Sequence, residues 1–326
     1  MKILITRSIP DAGLKLLKAA GHTLDIYTED KAIPRTDLLK RIRGVDALLS
    51  LLTDKIDDEV MQAAGSTLKV IGNYAVGFDN IDLPAAKRRG IIVTNTPAAE
   101  VSESVAEHTI MLMLALAHRL VESDNFARAK KYQGWSPTLL MGNDLGGKTL
   151  GIIGTGRIGG SVARRAVLGL NMKCLYEDHH RQLDLEKTLG AEPASLEQLL
   201  QRADVVSLHV PLTPDTRHLI SVAEFALMKK TAFLVNTARG PVVDEKALLR
   251  ALRTKRIAGA ALDVFECEPS IDCDLTDKLE LKSFNNVILT PHTASATIEA
   301  RQAMSKLAAE NILAVLSGKP ALNPAK

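Results

Sequence analysis

The chain is poor in cysteine: three among 326 residues, at Cys174, Cys267 and Cys273. Their number is odd and their spacing is unlike a zinc site, so no metal is expected, and the thiols read as free in a reducing cytoplasm. Long apolar runs are missing too. The longest, IMLMLALA at 110–117, falls far short of the roughly 20 residues that cross a bilayer. The opening MKILIT lacks the apolar stretch and small-residue cleavage site of a signal peptide. Neither sign of charge dominates: 41 Lys and Arg against 38 Asp and Glu leave +3, scattered without a basic stripe. That argues against nucleic acid as a partner. Small basic groups such as Lys87-Arg88-Arg89 read as solvated helix faces. There is no tandem repeat and no low-complexity tract. What remains is a cytoplasmic globular chain, 46% apolar and long enough for two domains, with no membrane segment.

Short apolar runs alternate with amphipathic stretches, the pattern of a parallel α/β fold. In the first part, strands are expected at 2–6, 47–51, 69–72 and 91–94, and helices at 11–20, 35–42, 58–64 and 83–89. One long helix is expected over 102–131, broken by Gly134-Trp135-Ser136-Pro137. A second series has strands at 149–153, 173–176, 205–210, 232–236, 258–264 and 287–290. Its helices are expected at 158–168, 196–202, 222–227 and 245–254. This near-complete βα alternation predicts a doubly wound sheet. A last amphipathic helix over 297–317 needs a partner surface, and the first series is the nearest candidate. Two domains are therefore expected: 1–100 with 290–326, and 101–289.

The second series opens on Gly154-Thr155-Gly156-Arg157-Ile158-Gly159, between a strand and a helix. In that context the glycines form a dinucleotide fingerprint. Gly154 permits the tight turn, Gly156 lets the backbone approach a pyrophosphate, and Gly159 lets helix and strand pack closely. The helix start, at Arg157 and Ile158, turns its amides toward the negative charge. The next strand runs into Tyr176-Glu177-Asp178, roughly 20 residues on, where a carboxylate would bind the adenosine ribose. Such a carboxylate repels a 2′-phosphate, so NAD (as NADH) is expected. NADP is the alternative, because His179, His180 and Arg181 follow. Of the two acids Glu177 is preferred for the ribose, with Asp178 beside it.

Ligands of open α/β sheets bind beyond the carboxyl ends of the strands. Three later strands deliver Arg239, Glu268 and His292 to that edge. Singly, each has a plainer reading: a surface ion pair, a turn residue before Pro269, a structural histidine like His209 at another strand end. Together they converge beside a nicotinamide-type cofactor.

The motifs VGFDNID (76–82), GIIVTNTP (90–97), GKTLGIIGTGRIG (147–159) and LHVPLTPDTRHLI (208–220) resemble the D-isomer-specific 2-hydroxyacid dehydrogenase family. So do NTARGPVVDE (236–245), ALDVFECEP (261–269) and LTPHTAS (289–295), and the match covers nearly the whole chain. Residues 48–57 and 134–151 look most like the glyoxylate and hydroxypyruvate reductases of that family. The resemblance implies a doubly wound Rossmann-type NAD-binding domain inserted in a discontinuous flavodoxin-like substrate-binding domain. It also implies a homodimer.

For chemistry, the resemblance implies reduction of a short 2-oxo acid to the D-2-hydroxy acid. His292 would be the general acid and base, with Glu268 stabilising its imidazolium. Arg239 would clamp the substrate carboxylate with its fixed fork of donors. Val76 and Gly77 would offer backbone amides to that carboxylate, and Leu52 and Ala75 would help line the pocket. Asp263 would accept from the nicotinamide carboxamide. His209, Val210, Pro211, Thr216, Thr237 and Ala238 would complete the cofactor site. Three details depart from the family or its relatives. Ala75 replaces a glycine, Val76 stands where phosphite-oxidising relatives carry lysine, and Thr293-Ala294-Ser295 replaces Ile-Gly-Ser. The rival readings are a dehydrogenase of another 2-oxo acid, such as pyruvate or 2-ketogluconate, and an NAD-sensing corepressor-like binding protein. Nothing remains after Lys326 for an appended regulatory domain, which speaks against the phosphoglycerate enzymes.

Overall fold

Apolar runs near the start of the chain become strands because both faces of their sheet are covered, so residues such as Leu4, Leu48, Leu49 and Ile71 are fully buried. The structure, a computed structural model, describes residues 1–268 and 280–325. The first elements are β1 (Lys2–Ile5), α1 (Asp11–Ala19), β2 (Thr23–Ile26), α2 (Arg35–Arg41) and β3 (Ala47–Leu51). Then come α3 (Asp58–Ala64), β4 (Val70–Tyr74), α4 (Leu83–Arg88) and β5 (Ile92–Thr94). The strands pair in parallel in the order β2-β1-β3-β4-β5, which is flavodoxin-like winding.

Helices α5 (Ala99–Ala117) and α6 (Leu120–Arg128) lead into the second series. It comprises β6 (Thr149–Ile153), α7 (Arg157–Arg164), β7 (Lys173–Glu177), α8 (Leu183–Leu189), β8 (Glu192–Pro193) and α9 (Leu196–Arg202). It continues through β9 (Val205–Leu208), α10 (Val222–Leu227), β10 (Phe233–Asn236), α11 (Glu245–Arg253), β11 (Gly259–Leu262) and β12 (Val287–Leu289). The order is β12-β11-β10-β9-β6-β7-β8, and the winding reverses at β6. Such a switch point opens a crevice at the carboxyl edge, where the glycine turn lies. Side chains alternate across this sheet: Ile153 joins a core with Leu199, Phe225 and Leu248. Its neighbour Ile152 faces the opposite core, with Leu112, Met113 and Leu116 of α5.

The final helix, α12 (Ile298–Leu316), packs on α1 and β4. Ser305 fixes that junction, accepting from Gly13 N at 3.0 Å and donating to Pro10 O. Contacts divide the chain into two units, Met1–Val101 with Ala296–Lys326, and Ser102–Ser295.

Four local features differ from expectation. The long helix breaks at Arg119, which turns left-handed at φ +52 and pairs with Glu122. The strand β2 lies at a sheet edge, where half-exposed side chains carry no clear alternation. The elements α8 and β8 are short, and only Leu185 of α8 is buried. Finally, Cys174 is free and buried, but Cys267 is disulfide-bonded rather than a free thiol. Cys273 lies outside the described residues.

Candidate active site

The glycine turn is dictated by crowding. Gly154 has φ +87, and a Cβ there would sit 2.8 Å from His209 O. Above Gly156 a Cβ would meet nothing within 4 Å, so open room faces the start of α7, where Arg157 and Ile158 begin the helix. A dinucleotide phosphate fits that combination of open backbone and helix N-terminus. Thr155, which the sequence reading passed over, donates from both N and Oγ1 to Asp178 Oδ2, each at 2.8 Å. Only its hydroxyl between two glycines signals this in the sequence. Asp178 Oδ1 accepts from His180 N at 3.1 Å. Burial alone would raise the Asp178 carboxyl, but these donors hold it below the usual carboxylate range. Burial raises Glu177, the last residue of β7. The acid joined to the turn is therefore Asp178.

Beyond β9, His209 N donates to Ile153 O at 2.8 Å, and its Nε2 meets Ser207 Oγ at 2.8 Å. Burial pushes this imidazole down to about 3. It is neutral at physiological pH and unsuited to be the acid. Val210 and Pro211 follow, and Thr216 Oγ1 donates back to Pro211 O at 2.6 Å, closing the loop on itself.

Past β10, Asn236 pins the segment Thr237-Ala238-Arg239. Its Oδ1 accepts from Ala238 N at 3.0 Å, and its Nδ2 donates to Arg239 O at 2.9 Å. A Cβ on Gly240 would lie 1.9 Å from Phe265 O, so glycine after Arg239 lets the loops past β10 and β11 touch. On the second loop, Glu268 Oε1 accepts from Phe265 N at 3.0 Å. Its Oε2 lies 2.9 Å from His292 Nδ1. Burial would raise Glu268, but hydrogen bonding and charge from His292, with Phe265 N and Arg239, hold it below its ordinary value. A proton on Nδ1 of His292 is thereby committed to Glu268, and Nε2 is left to exchange a proton with a ligand.

His292 itself is left-handed, at φ +54. Its loop is held by Asp263, which is 1% exposed. Asp263 Oδ1 accepts from Thr290 Oγ1 at 2.6 Å and Thr293 N at 2.8 Å, and Oδ2 from Ala294 N at 2.8 Å. His292 N donates to Asp263 O, also at 2.8 Å. Asp263 thus anchors the loop that carries His292.

The remaining candidates lie in the first unit. Leu52 follows β3, and Ala75, Val76 and Gly77 follow β4. Thr96 N donates to Ala75 O, Asn95 Nδ2 to Val76 O and Asn73 Nδ2 to Gly77 O. The carbonyls are thus occupied. Among the described residues neither Val76 N nor Gly77 N has a protein acceptor. No group of three or more His, Cys, Asp or Glu that could hold a metal is found among the described residues.

Residues 110–294 match the family described as D-isomer specific 2-hydroxyacid dehydrogenase, NAD binding domain. A glyoxylate reductase from Thermofilum pendens is 50% identical over 325 residues, covering 98% of this chain and 94% of the relative. Among solved structures, the TT0316 protein from Thermus thermophilus superposes with a TM-score of 0.92 at 42% identity, covering 100% of both chains. An NADPH-dependent glyoxylate/hydroxypyruvate reductase from Sinorhizobium meliloti, in complex with NADP and malonate, gives 0.84 at 31% identity, covering 99% of this chain and 96% of that one.

The His209 imidazole generates a pH test. In the unfolded chain it takes up a proton near 6.5, and in the folded chain only near 3. The unfolded state therefore binds more protons in that window, so folding stability falls as pH drops from about 6.5 to about 3. Denaturant titrations across this range are expected to show a shallower pH slope for His209→Gln. An unchanged slope would mean that His209 titrates normally in the folded protein.

Proposed function

Because the chain belongs to the D-isomer-specific 2-hydroxyacid dehydrogenases, we propose that it reduces a short 2-oxo acid, glyoxylate or hydroxypyruvate first, to the 2-hydroxy acid. Hydroxypyruvate would give the D-isomer. Similarity to the Thermofilum and Sinorhizobium reductases supports this substrate choice. The observation that carries the chemistry is the His292–Glu268 pair, 2.9 Å apart in the unit that bears the glycine turn. When bound, a reduced nicotinamide dinucleotide supplies the hydride. NADH is preferred, with NADPH as the alternative.

His292 gives the proton from Nε2 to the substrate's carbonyl oxygen, and Glu268 stabilises the imidazolium beforehand. In the reverse direction the same nitrogen takes the proton back. Arg239 holds the substrate carboxylate through paired donors, which an ammonium cannot imitate. Leu52, Ala75, Val76 and Gly77 keep their substrate-binding assignment, supported by the two amides without protein acceptors. Gly154, Gly156, Arg157 and Ile158 are assigned to the pyrophosphate. The ribose is assigned to Asp178, supported by its tie to Thr155.

A homodimer is inferred as well. Its support is the exposed apolar side chains carried between positions 120 and 141, namely Leu120, Val121, Tyr132, Trp135 and Met141, with Trp135 83% exposed. A cytoplasmic location is also inferred. It rests on the use of a soluble dinucleotide, since Cys267 removes the free-thiol argument.

Steady-state oxidation of NADH and NADPH with glyoxylate, hydroxypyruvate, pyruvate and 2-ketogluconate tests the reading. The first two acids are expected to give the highest kcat/KM, and no turnover with any acid would sink it. His292→Ala should lower kcat by about 100- to 10,000-fold with NADH binding intact, the range of a lost general acid. Asp178→Ser should raise the NADPH-to-NADH ratio of kcat/KM at least about tenfold, as loss of a ribose-selecting carboxylate implies. A greater effect from Glu177→Gln would return the ribose to Glu177. Light scattering should give twice the chain mass, and a single-chain mass would overturn the dimer.

A further inference from the structure

We infer that His108, on α5, is a positioning residue for His292, acting through Thr290 and Asp263. The inference rests on the role proposed for His292 but draws on a separate set of contacts. Thr290 Oγ1 carries one proton, and its 2.6 Å contact with the acceptor-only carboxylate of Asp263 commits that proton. At the 3.1 Å contact between His108 Nε2 and Thr290 Oγ1, the imidazole must therefore be the donor. Donor and acceptor thus run in one direction, from His108 to Thr290 to Asp263. Asp263 in turn receives Thr293 N and Ala294 N, the two amides that follow His292.

Two further contacts come from the same helix. One turn before His108, Ser104 Oγ donates to Ala294 O at 2.9 Å. One residue after it, Thr109 Oγ1 meets Thr237 Oγ1 at 3.0 Å, two positions before Arg239. Residues spaced by four share a helix face. Three polar side chains of α5 thus touch the loops carrying His292 and Arg239.

These contacts have a physical task. His292 is left-handed at φ +54, a conformation that non-glycine residues keep only where the surroundings over-determine it. The side chain of His108 is 14% exposed, so solvent competes little for its hydrogen bond. Burial lowers its pKa against the opposing pull of Asp263, in keeping with a neutral Nε2–H donor. Other ionisable side chains of α5 nearby, Glu103 and Glu107, turn away to Arg165.

Three variants and one double variant test the relay. His108→Leu keeps the bulk and removes the donor, His108→Gln keeps a donor, and Thr290→Val removes the relay hydroxyl. His108→Leu should lower kcat about tenfold or more while coenzyme KM moves less than about twofold, as misplacement of a catalytic group requires. Hydrogen exchange at the Thr293 and Ala294 amides should quicken about tenfold, reporting a loosened loop. His108→Gln should restore both quantities. The double variant His108→Leu with Thr290→Val should be no worse than the poorer single one, since the two act in series.

Parent-like amide exchange in both His108→Leu and Thr290→Val would overturn the proposal. So would His108→Gln as impaired as His108→Leu at an unchanged melting temperature. If His108→Leu does not fold, Thr290→Val and His108→Gln decide by the same exchange readout. If the parent reduces none of the 2-oxo acids, the proposed activity fails while amide exchange still decides the relay.

Discussion

The buried carboxylate of Asp263 is the constraint on which the catalytic edge depends. A charge that is 1% exposed must be surrounded by donors or it destabilises the fold. This one draws Thr290 Oγ1, Thr293 N and Ala294 N onto itself, all from the segment after β12. Its backbone completes the tie: Asp263 N donates to Asn236 O at 3.0 Å, and Asp263 O accepts from His292 N. A single residue thus links the ends of β10, β11 and β12. Those are the strands whose loops carry Arg239, Glu268 and His292.

The same loops are also pressed together sterically. At Gly240 the backbone of the Arg239 loop comes so near Phe265 O that no side chain would fit. Phe265 N in turn holds Glu268 Oε1, which leaves Oε2 for His292. The order of dependence is therefore short. Glycine permits the contact, the contact sets the carboxylate, and the carboxylate sets the imidazole tautomer. The cofactor edge follows a different logic, in which sheet topology alone places the glycine turn at the reversal around β6.

What could be read from residues alone follows from how local each signal is. The fold class was legible because β and α periods alternate over most of the chain, and the glycine turn because its residues are contiguous. Arg239, Glu268 and His292 stood out as reactive groups just past apolar strands. Edge elements such as β2 and β8 gave no period to read, being short and partly exposed. The break at Arg119 was hidden, since no glycine or proline marks it. The tie between Asp178 and Thr155 left no mark in the sequence, since the two stand 23 residues apart. His108 was invisible for a deeper reason: in an apolar helix, a histidine acquires meaning only from the loop it meets.

The left-handed backbone of His292 shows why such support is needed. Holding a non-glycine residue there costs on the order of 1–3 kcal/mol. A hydrogen bond to a charged group contributes about 1.5–3 kcal/mol net, and the segment after β12 makes three of 2.8 Å or less to Asp263. The balance favours the strained turn, so the imidazole is held in place before any ligand arrives. Preorganisation of this kind removes reorganisation from the reacting step. It also makes the edge brittle, because each of the three bonds shares one carboxylate. Losing a donor to Asp263 loosens the loop that carries His292 before it touches His292 itself.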